Sequence, residues 1–515
     1  MRFFTASVLG LLMPSLAAAS NLSTATQLVL PLDFKPPQVF KNTNLVRNTN
    51  LEKSYVRETI NVVVENVDKQ PQSDYYIPFP SDVFNRVGGF EVRDKKATDA
   101  GRFEVDATEI VSSSWACRVD PSLTLQFQQW QSVLCRSLPR AIGPEIPDHP
   151  WNLLLRFELS GPRPSVIQQN DKQYLTYSFS AYVPSAYQTV TQKTKLKFPG
   201  TNVADYTETS DLKTGADPER KGTTYTYGPY ETAKVAPGTE YPITVRYEFT
   251  NPVITAHLLE RDVEVSHWGG NLATEERYWL RNNGSELANH FSRVEWTFSN
   301  YQKAPSSAVR EITYPLQPGS VDPYFTDDIG NVSTSRYRPG NGKTGANLEL
   351  KPRYPIFGGW NYSFKVGWNN DLGRFLRQIK GSDSYALKVP FLQGPKMSEG
   401  IQYERVVVRL VLPEGAHNVR YELVEGANSN GLPSANQIQA TLSSFKTYMD
   451  TLGRTTLTLE VDSLTDEARD AQLVVIYDHT LTDALRKPLT IFAGLVTTFF
   501  AIWVIGNIDV SIKKR

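Results

Sequence analysis

The twenty residues from Leu489 to Ile508 carry no charged side chain, and this run limits the possible folds more than any other feature of the sequence. As a helix rising about 1.5 Å per residue it would extend about 30 Å, the thickness of the hydrocarbon core of a bilayer. A buried helix of a globular protein can be equally apolar, but basic residues flank this run on both sides. We therefore predict a transmembrane helix over residues 488–508 and a short cytosolic tail over 509–515.

The first residues have the pattern of a cleaved secretory signal peptide. A single positive charge, Arg2, precedes an apolar stretch, and small residues follow at Ala17 and Ala19. An uncleaved anchor is the alternative, but the apolar stretch is too short to span a bilayer. The sequence predicts a signal peptide over residues 1–19 and a single-pass type I membrane protein whose bulk lies in the lumen.

Strand patterns dominate between these two ends. Apolar and polar residues alternate in "YLTYSFSAYV" (174–183) and in "TTLTLEVD" (455–462). A period of two residues is typical of half-buried strands in antiparallel sheets. The sequence shows no long helical periodicity away from its ends, and the polar segment 200–222 has the composition of a long exposed loop. The fold class predicted is therefore mainly β.

The size of the translocated part is sufficient for two domains in series. Asn251 and Pro252 interrupt a strand-like run, which favours a boundary there. We predict two lumenal β-sandwich-like domains, an N-terminal one over residues 20–255 and a second over 256–480. A weak likeness between residues 51–66 and 258–276 favours two related domains.

Composition and motifs argue against most enzymatic and nucleic-acid-binding functions. The 54 basic residues balance 54 acidic ones, so no net field attracts nucleic acid. None of the six histidines has zinc-binding H-E-x-x-H spacing, and the sequence contains no P-loop, dinucleotide-binding or G-x-S-x-G motif. We expect no catalytic residues, no metal ligands and no cofactor in this chain.

The stretch "RDVEVSHWGGNLATEE" (261–276) is the most enzyme-like part of the sequence. His267 could act as a base beside Glu264 or Glu275 in a hydrolase. The alternation of the same residues, which places Val265 and His267 on one face, is equally typical of a strand that ends in a turn at the glycine pair. The structural interpretation is favoured.

Two modifications are predicted for the translocated part. Cys117 and Cys135 are the only cysteines, and in an oxidising compartment they would form a disulfide or stay as two buried thiols. The candidate N-glycosylation sites, each in an Asn-x-Ser/Thr triplet, are Asn21, Asn283, Asn331 and Asn361.

Several phrases, taken in order, resemble one known family. They are "YGPY" (227–230), "VEVSHWGGNLATEE" (263–276), "DIGNVSTSRY" (328–337), "KPRYPIFGGW" (351–360), "LVLPEGAHNV" (410–419) and "YMDTLGR" (448–454), followed by the terminal apolar run. This series resembles the ribophorin I family, subunit 1 of the oligosaccharyltransferase complex, in its short-tailed fungal form. The resemblance is strong over roughly residues 227–510.

The resemblance implies a non-catalytic subunit of the endoplasmic reticulum membrane. The complex transfers a preassembled oligosaccharide from dolichyl diphosphate to the Asn of Asn-x-Ser/Thr in nascent proteins. The implied partners are the other subunits, including a multi-spanning catalytic subunit, together with nascent polypeptides and the lipid of the membrane. The implied role is scaffold stability and acceptor positioning. A lectin-like or adhesion receptor of the secretory pathway is the alternative function.

The predicted membrane helix carries a stripe of small residues. Ala493, Thr497 and Ala501 follow one another at intervals of four, so they share one helix face. Such a face allows close packing against another membrane helix. The alternative is a helix that faces lipid all round.

Overall fold

The structure is a computed structural model. It describes residues 27–28, 37–70, 75–79, 87–94, 106–110, 132–136, 149–158, 166–213, 215–341, 344–424, 438–448 and 453–508. The predicted signal peptide, Asn21, Cys117 and the predicted cytosolic tail lie outside these residues. Those predictions, and with them the Cys117–Cys135 disulfide, stay predictions.

The first half of the chain contributes fifteen described strands. They are β1 (Gln27–Leu28), β2 (Phe40–Asn50), β3 (Tyr55–Asn66), β4 (Ile77–Phe79), β5 (Val87–Asp94), β6 (Asp106–Ile110), β7 (Ser132–Arg136), β8 (His149–Glu158), β9 (Tyr174–Ser180), β10 (Gln188–Lys197), β11 (Val203–Tyr206), β12 (Glu219–Lys221), β13 (Thr224–Glu231), β14 (Thr239–Glu240) and β15 (Pro242–Glu248).

The second half contributes fifteen more described strands. They are β16 (Ile254–Ser266), β17 (Asn271–Asn282), β18 (Ile312–Leu316), β19 (Val321–Asp327), β20 (Gly330–Asn331), β21 (Arg336–Arg338), β22 (Ala346–Leu350), β23 (Asn361–Asp371), β24 (Leu376–Gln378), β25 (Ser384–Pro390), β26 (Gln402–Val411), β27 (His417–Val424), β28 (Ile438–Phe445), β29 (Arg454–Thr465) and β30 (Gln472–Asp478). The described α-helices are α1 (Arg293–Tyr301) and α2 (Leu481–Asn507), and 3₁₀ turns cover Leu372–Arg374 and Asp466–Asp470.

The two-residue alternation seen in the sequence becomes the inward and outward faces of these strands. In β9, Leu175 and Tyr177 are buried on one face, while Ser178, which points to the opposite face, is exposed. In β29, Leu457 and Leu459 are buried. Successive side chains of a strand point to opposite faces, so each strand buries one face only. The prediction of a mainly β chain with one C-terminal apolar helix is confirmed.

In the first half, a seven-stranded sheet packs against a smaller one. The strand order of the large sheet is β12-β13-β10-β2-β3-β8-β5, and that of the small one is β11-β15-β9. Their facing side chains form one core rich in tyrosine, including Tyr177, Tyr227 and Tyr247. A second core lies around Tyr75 and Tyr187, against the other part of the large sheet.

In the second half, an eight-stranded sheet packs against two smaller ones. The order of the large sheet is β20-β19-β23-β17-β16-β26-β29-β28; the others are β18-β22-β21 and β24-β25-β30-β27. All three sheets contribute to a single core, for example through Tyr278, Leu348 and Val475. The last described strand of the first half, β15, ends at Glu248, and the first strand of the second half, β16, begins at Ile254. The predicted boundary after residue 255, which lies inside β16, stays a prediction.

The two large sheets repeat one topology. In the first, the hairpin β2–β3 is followed much later by β10, which pairs with β2 in parallel, and β13 and β8 extend the sheet on either side. In the second, the hairpin β16–β17 is followed by β26, which pairs with β16 in parallel. The strand β29 takes the position of β13, and β23 takes the position of β8. The two halves therefore share the order and direction of their central strands. The two phrases whose likeness favoured related domains are not equivalent, because β3 corresponds to β17 and not to β16.

Each central hairpin contains a buried arginine–glutamate pair. Arg261 of β16 lies opposite Glu276 of β17, and their side chains are 1% and 0% exposed. The second carboxylate oxygen of Glu276 accepts a hydrogen bond of 2.8 Å from the hydroxyl of Tyr278. The Arg261 guanidinium also lies 6.0 Å from the ring centroid of Trp368. The charges thus compensate each other inside the core, which avoids the cost of burying one alone.

The first half has a similar buried pair, which lies diagonally across its hairpin because Glu58 is opposite Thr49 and not Arg47. Arg47 of β2 and Glu58 of β3 are 5% and 7% exposed, with 3.9 Å between Nη1 and Oε1. Tyr177 donates a hydrogen bond of 3.0 Å to Glu58, as Tyr278 does to Glu276. The Arg47 guanidinium lies 5.4 Å from the ring centroid of Phe179. The repeat therefore extends from strand order to side-chain chemistry.

The two halves contact each other through the turn between β2 and β3. The backbone N–H of Ser54 donates to the carbonyl of Glu399 at 2.7 Å, and its hydroxyl donates to the carbonyl of Gly400 at 3.1 Å. The fully buried Tyr55 donates a hydrogen bond of 2.6 Å to Asp466. These bonds involve buried backbone groups, so they fix the halves relative to each other.

Two local expectations are wrong. The segment 200–222 contains β11 and β12, and Asp217 is buried, where it accepts a hydrogen bond from Tyr230. The helix α1 was also not anticipated. Its signal is present, since Ser292 caps it by accepting from the N–H of Glu295, the spacing of a capping box.

We predict that Glu276→Gln destabilises the protein by about 3–5 kcal/mol, because it leaves the Arg261 charge buried without a counter-charge. The measurement is chemical unfolding of the full-length chain in mild detergent, followed by tryptophan fluorescence. The matched control is Glu460→Gln, which removes the exposed partner of Arg405 and is expected to cost less than about 1 kcal/mol. Equal losses in the two variants would contradict the structural role of the buried pair.

Candidate functional site

The enzyme-like stretch 261–276 is the hairpin β16–β17. Its turn contains Gly269 and Gly270, and Gly270 has a φ of +59°, a conformation that glycine adopts without strain. The hydroxyl of Ser266 accepts from the N–H of Gly269 at 3.1 Å and closes the turn. As the alternation predicts, Val263 and Val265 are buried on one face. The hairpin thus has regular geometry down to its tip.

His267 is half-buried at this tip and is not placed to act as a base. Its Nε2 lies 2.8 Å from the hydroxyl of Tyr477, and its ring packs 4.7 Å from that of His479, centroid to centroid. Burial, with the nearby His479, lowers the pKa of His267 to about 4. The ring is therefore neutral at physiological pH and serves as a packing and hydrogen-bonding group.

The two carboxylates considered as partners of His267 bind elsewhere. Glu264 accepts a hydrogen bond of 3.1 Å from Arg454. Glu275 accepts one of 2.9 Å from Arg277 and another from Tyr324. The structure therefore does not bring together the acid–base pair that a hydrolase would need here. In the described part of the chain, no three His, Cys, Asp or Glu side chains are grouped to hold a metal ion.

The same hairpin tip contacts the start of helix α2. Pro488 lies inside α2 and has no N–H, so the carbonyl of Ala484, four residues earlier, lacks its usual helical donor. The indole N–H of Trp268 donates to this carbonyl at 3.2 Å. A side chain of the β domain thus satisfies a backbone group that the proline leaves unpaired.

Further contacts surround this first part of α2, which we call the helix root (residues 481–488). Lys487 donates to Glu414 at 2.9 Å. Burial raises the pKa of Glu414, but the hydrogen bond and charge of Lys487 outweigh it and leave the pKa below its usual value. Gly415 has a φ of +84°, and a Cβ there would lie 2.7 Å from the Cβ of Asp483. The helix root is therefore packed closely against the β domain.

The helix begins earlier than the predicted membrane segment. Thr480 caps it, and Asp483 completes a capping box by accepting from the backbone N–H of Thr480 at 3.0 Å. Among the described residues, α2 is the one helix long and apolar enough to cross a membrane. Ala493, Thr497 and Ala501 lie on its exposed surface, where the small-residue stripe stays available for packing.

A large open cleft of about 1060 Å³ lies beside α1. Its walls are α1, the segments 303–311 and 351–355, and the loop 396–399. Its charged residues are Arg293, Lys303, Arg310, Lys351, Arg353 and Lys396, against Glu311 and Glu399. The cleft is therefore strongly basic, although the whole chain is neutral.

Aromatic and proline side chains shape the cleft between these charges. The guanidinium of Arg310 lies 5.4 Å from the ring centroid of Trp296, and burial lowers the pKa of Arg310. Trp296 in turn packs edge-on against Phe357 at 5.4 Å. Arg353 is paired with Asp327, whereas no described residue forms an ion pair with Lys351 or Lys396. Within the described part of the chain, these two charges thus have no acidic counterpart.

The three described glycosylation candidates differ in accessibility. Asn331 in β20 and Ser333 are both exposed. Asn361 is exposed, and Ser363 donates to Asp328 at 2.7 Å. Asn283 instead donates its side-chain amide to Thr255 at 2.9 Å, and Ser285 is fully buried.

Comparison with known proteins decides the family. The family model of ribophorin I matches residues 40–506, which is most of the sequence. The chain belongs to the ribophorin I family. The resemblance seen in the sequence motifs is confirmed.

Two curated relatives of this ribophorin I chain are named dolichyl-diphosphooligosaccharide–protein glycosyltransferase subunit 1. The Schizosaccharomyces pombe protein is 32% identical over 340 residues, 65% of this chain and 71% of its own length. The Caenorhabditis elegans protein is 33% identical over 354 residues, 68% of this chain and 56% of its own length. This match therefore spans little more than half of the C. elegans protein.

A likeness to solved structures is much weaker. The native leukotriene A4 hydrolase of Saccharomyces cerevisiae is 8% identical, with a TM-score of 0.24, over 43% of this chain and 29% of that one.

The motifs that carry the ribophorin I resemblance meet in space at two places. Around the helix root, Arg454 of "YMDTLGR" donates to the carbonyl of Val265 in "VEVSHWGGNLATEE". It also donates to the carbonyl of Leu412 in "LVLPEGAHNV". Near β20, Arg353 of "KPRYPIFGGW" donates to the carbonyl of Asn331 at 3.0 Å. Sequence order did not show that these separate phrases are neighbours.

We predict that Asn331 carries a glycan and Asn283 does not, because among the three described candidates Asn331 alone combines an exposed asparagine with an exposed hydroxyl residue. Glycopeptide mass spectrometry of the protein from its native host measures the occupancy of each site. Asn331→Gln should remove one glycosidase-sensitive mobility shift, and Asn283→Gln, the control, should change nothing. Glycan on Asn283 would overturn this order of accessibility.

Proposed function

We propose that the chain is a non-catalytic subunit of the oligosaccharyltransferase complex of the endoplasmic reticulum, the function that relatives named subunit 1 support. The complex would transfer a preassembled oligosaccharide from dolichyl diphosphate to the Asn of Asn-x-Ser/Thr in nascent proteins. The match over residues 40–506 is the observation that carries this proposal. It covers both β halves and nearly all of α2.

The geometry of the enzyme-like hairpin supports a non-catalytic role. Its histidine is neutral and hydrogen-bonded to Tyr477, and its tryptophan completes the hydrogen bonding of the helix root. These side chains are used for structure. The chemistry would then belong to another, multi-spanning subunit of the complex.

Anchoring is the first structural role in this proposal. The helix α2 would cross the membrane once, with both β halves in the lumen. The small residues Ala493, Thr497 and Ala501 would pack against a membrane helix of another subunit. Since the helix root is bonded to the β domain, such packing would also hold the lumenal part in a defined orientation.

Acceptor positioning is the second role, and the basic cleft is suited to it. An open cleft with spaced cations and aromatic walls fits an extended polypeptide with acidic side chains better than a compact ligand. Lys351 and Lys396 lie on two of its segments and have no described acidic partner. We therefore assign the cleft to the binding of acidic acceptor segments.

Affinity isolation of the tagged full-length chain from digitonin extracts tests membership of the complex. Dolichol-dependent glycosyltransferase activity should co-purify, and depletion of the chain should give under-glycosylated secretory proteins. Thr497→Leu is expected to lower the recovery of activity several-fold, because a larger side chain prevents close helix packing. Phe499→Leu, on the opposite face of α2, is the control. Isolation of the chain without transferase activity would overturn the proposal.

Charge reversal tests the cleft. In the isolated complex, Lys351→Glu with Lys396→Glu should raise the KM for acceptor peptides with glutamates beside the sequon by about three- to tenfold, since exposed charge pairs contribute roughly 0.2–1 kcal/mol each. The kcat should not change. The matched control is the double reversal Lys234→Glu with Lys380→Glu, at two exposed lysines outside the cleft. An equal effect on acidic and basic peptides would exclude the cleft as the acceptor site.

A further inference from the structure

The position of the bilayer relative to the β domain follows from the helix root. The uncharged run of α2 starts at Leu489, five residues after Ala484. At about 1.5 Å per residue, Ala484 lies about 7.5 Å above the start of this run. The polar headgroup layer on each side of the hydrocarbon core is about 5–7.5 Å thick. A side chain that contacts Ala484 therefore lies at the level of the headgroups when α2 spans the membrane.

Trp268 is such a side chain. Its indole N–H is bonded to the carbonyl of Ala484, yet the residue is 71% exposed, so most of its ring has no protein neighbour. A large apolar ring with its one polar group satisfied is costly to leave in water. Tryptophan is enriched at membrane–water interfaces because its ring suits the headgroup layer.

Two more exposed aromatic residues lie at the same end of the β domain. Phe445 is the last residue of β28 and pairs with Arg454, the first residue of β29. Arg454 in turn donates to the carbonyl of Val265 at 2.8 Å, three residues before Trp268. Phe445 is 41% exposed and Tyr448, just after β28, is 96% exposed. The end of β28 that carries Phe445 therefore lies next to the hairpin tip that carries Trp268, with Arg454 as their shared neighbour.

We propose that Trp268, Phe445 and Tyr448 form an aromatic rim that inserts into the headgroup layer of the bilayer crossed by α2. The ligand class is membrane lipid, contacted at its interfacial region. The β domain then rests on the membrane surface and is held there by two kinds of contact, the α2 span and the rim. This inference depends on the membrane span in the proposed function.

Depth-dependent fluorescence quenching tests the rim. The full-length chain is reconstituted in phosphatidylcholine vesicles whose acyl chains carry bromine either near the headgroup or near the methyl end. The protein has nine tryptophans, so the Trp268 signal is the difference between the wild type and Trp268→Phe. Shallow bromine should remove the greater part of this signal, and deep bromine should remove much less. In the Trp268→Phe background, Tyr448→Trp should add a signal with the same preference.

Trp503 provides the control because it lies within the uncharged run of α2. Its signal, obtained from Trp503→Phe, should be quenched by the brominated lipids whether or not the rim exists. Quenching of Trp503 without quenching of Trp268 and of the tryptophan at position 448 would overturn the rim and leave the membrane span intact. Failure to quench Trp503 would instead overturn the span, and with it the anchoring role in the proposed function.

Discussion

The buried pair Arg261–Glu276 is the constraint on which the second half of the structure depends. Two charges removed from water are tolerated only when their geometry is fixed. This pair therefore favours one register of the hairpin β16–β17, the register that directs Val263, Val265 and Leu272 into the core. A slip by one residue would turn those side chains outward and leave the charges unpaired. Arg47 and Glu58 form a similar buried pair in the first half, across the diagonal of the hairpin β2–β3.

Much of this fold could be predicted from the sequence, because alternation is a local property. The register could not be predicted from the glycine pair alone, because a two-residue turn at 269–270 would place Arg261 opposite Tyr278, whereas the four-residue turn 267–270 places it opposite Glu276. The ion pair could not be predicted either, because exposed carboxylates and buried ones look alike in a sequence. The same limit explains segment 200–222, where the polar Asp217 is buried by tertiary contacts.

The candidate site could be predicted only in part. Sequence reasoning selected the stretch that forms the central hairpin and favoured structure over catalysis, because His267 alternates with the buried valines. It could not show what the hairpin tip touches. The link from Trp268 to Ala484 joins residues far apart in the chain, and its reason is the missing N–H of Pro488. The cleft, likewise, is formed by side chains from four separate segments.

The parallel strands of the two large sheets have a consequence for biosynthesis. The hairpin β2–β3 ends at Asn66, but its parallel neighbour β10 starts only at Gln188. In the same way, the hairpin β16–β17 ends at Asn282, and its parallel neighbour β26 starts only at Gln402. A chain synthesised from its N-terminus must therefore hold each charged hairpin incomplete while a long stretch is still being made. Contacts so distant in sequence form slowly. Each half thus passes through an interval in which its unpaired strand edges need protection by chaperones. This interval occurs twice because both halves have the same sheet topology.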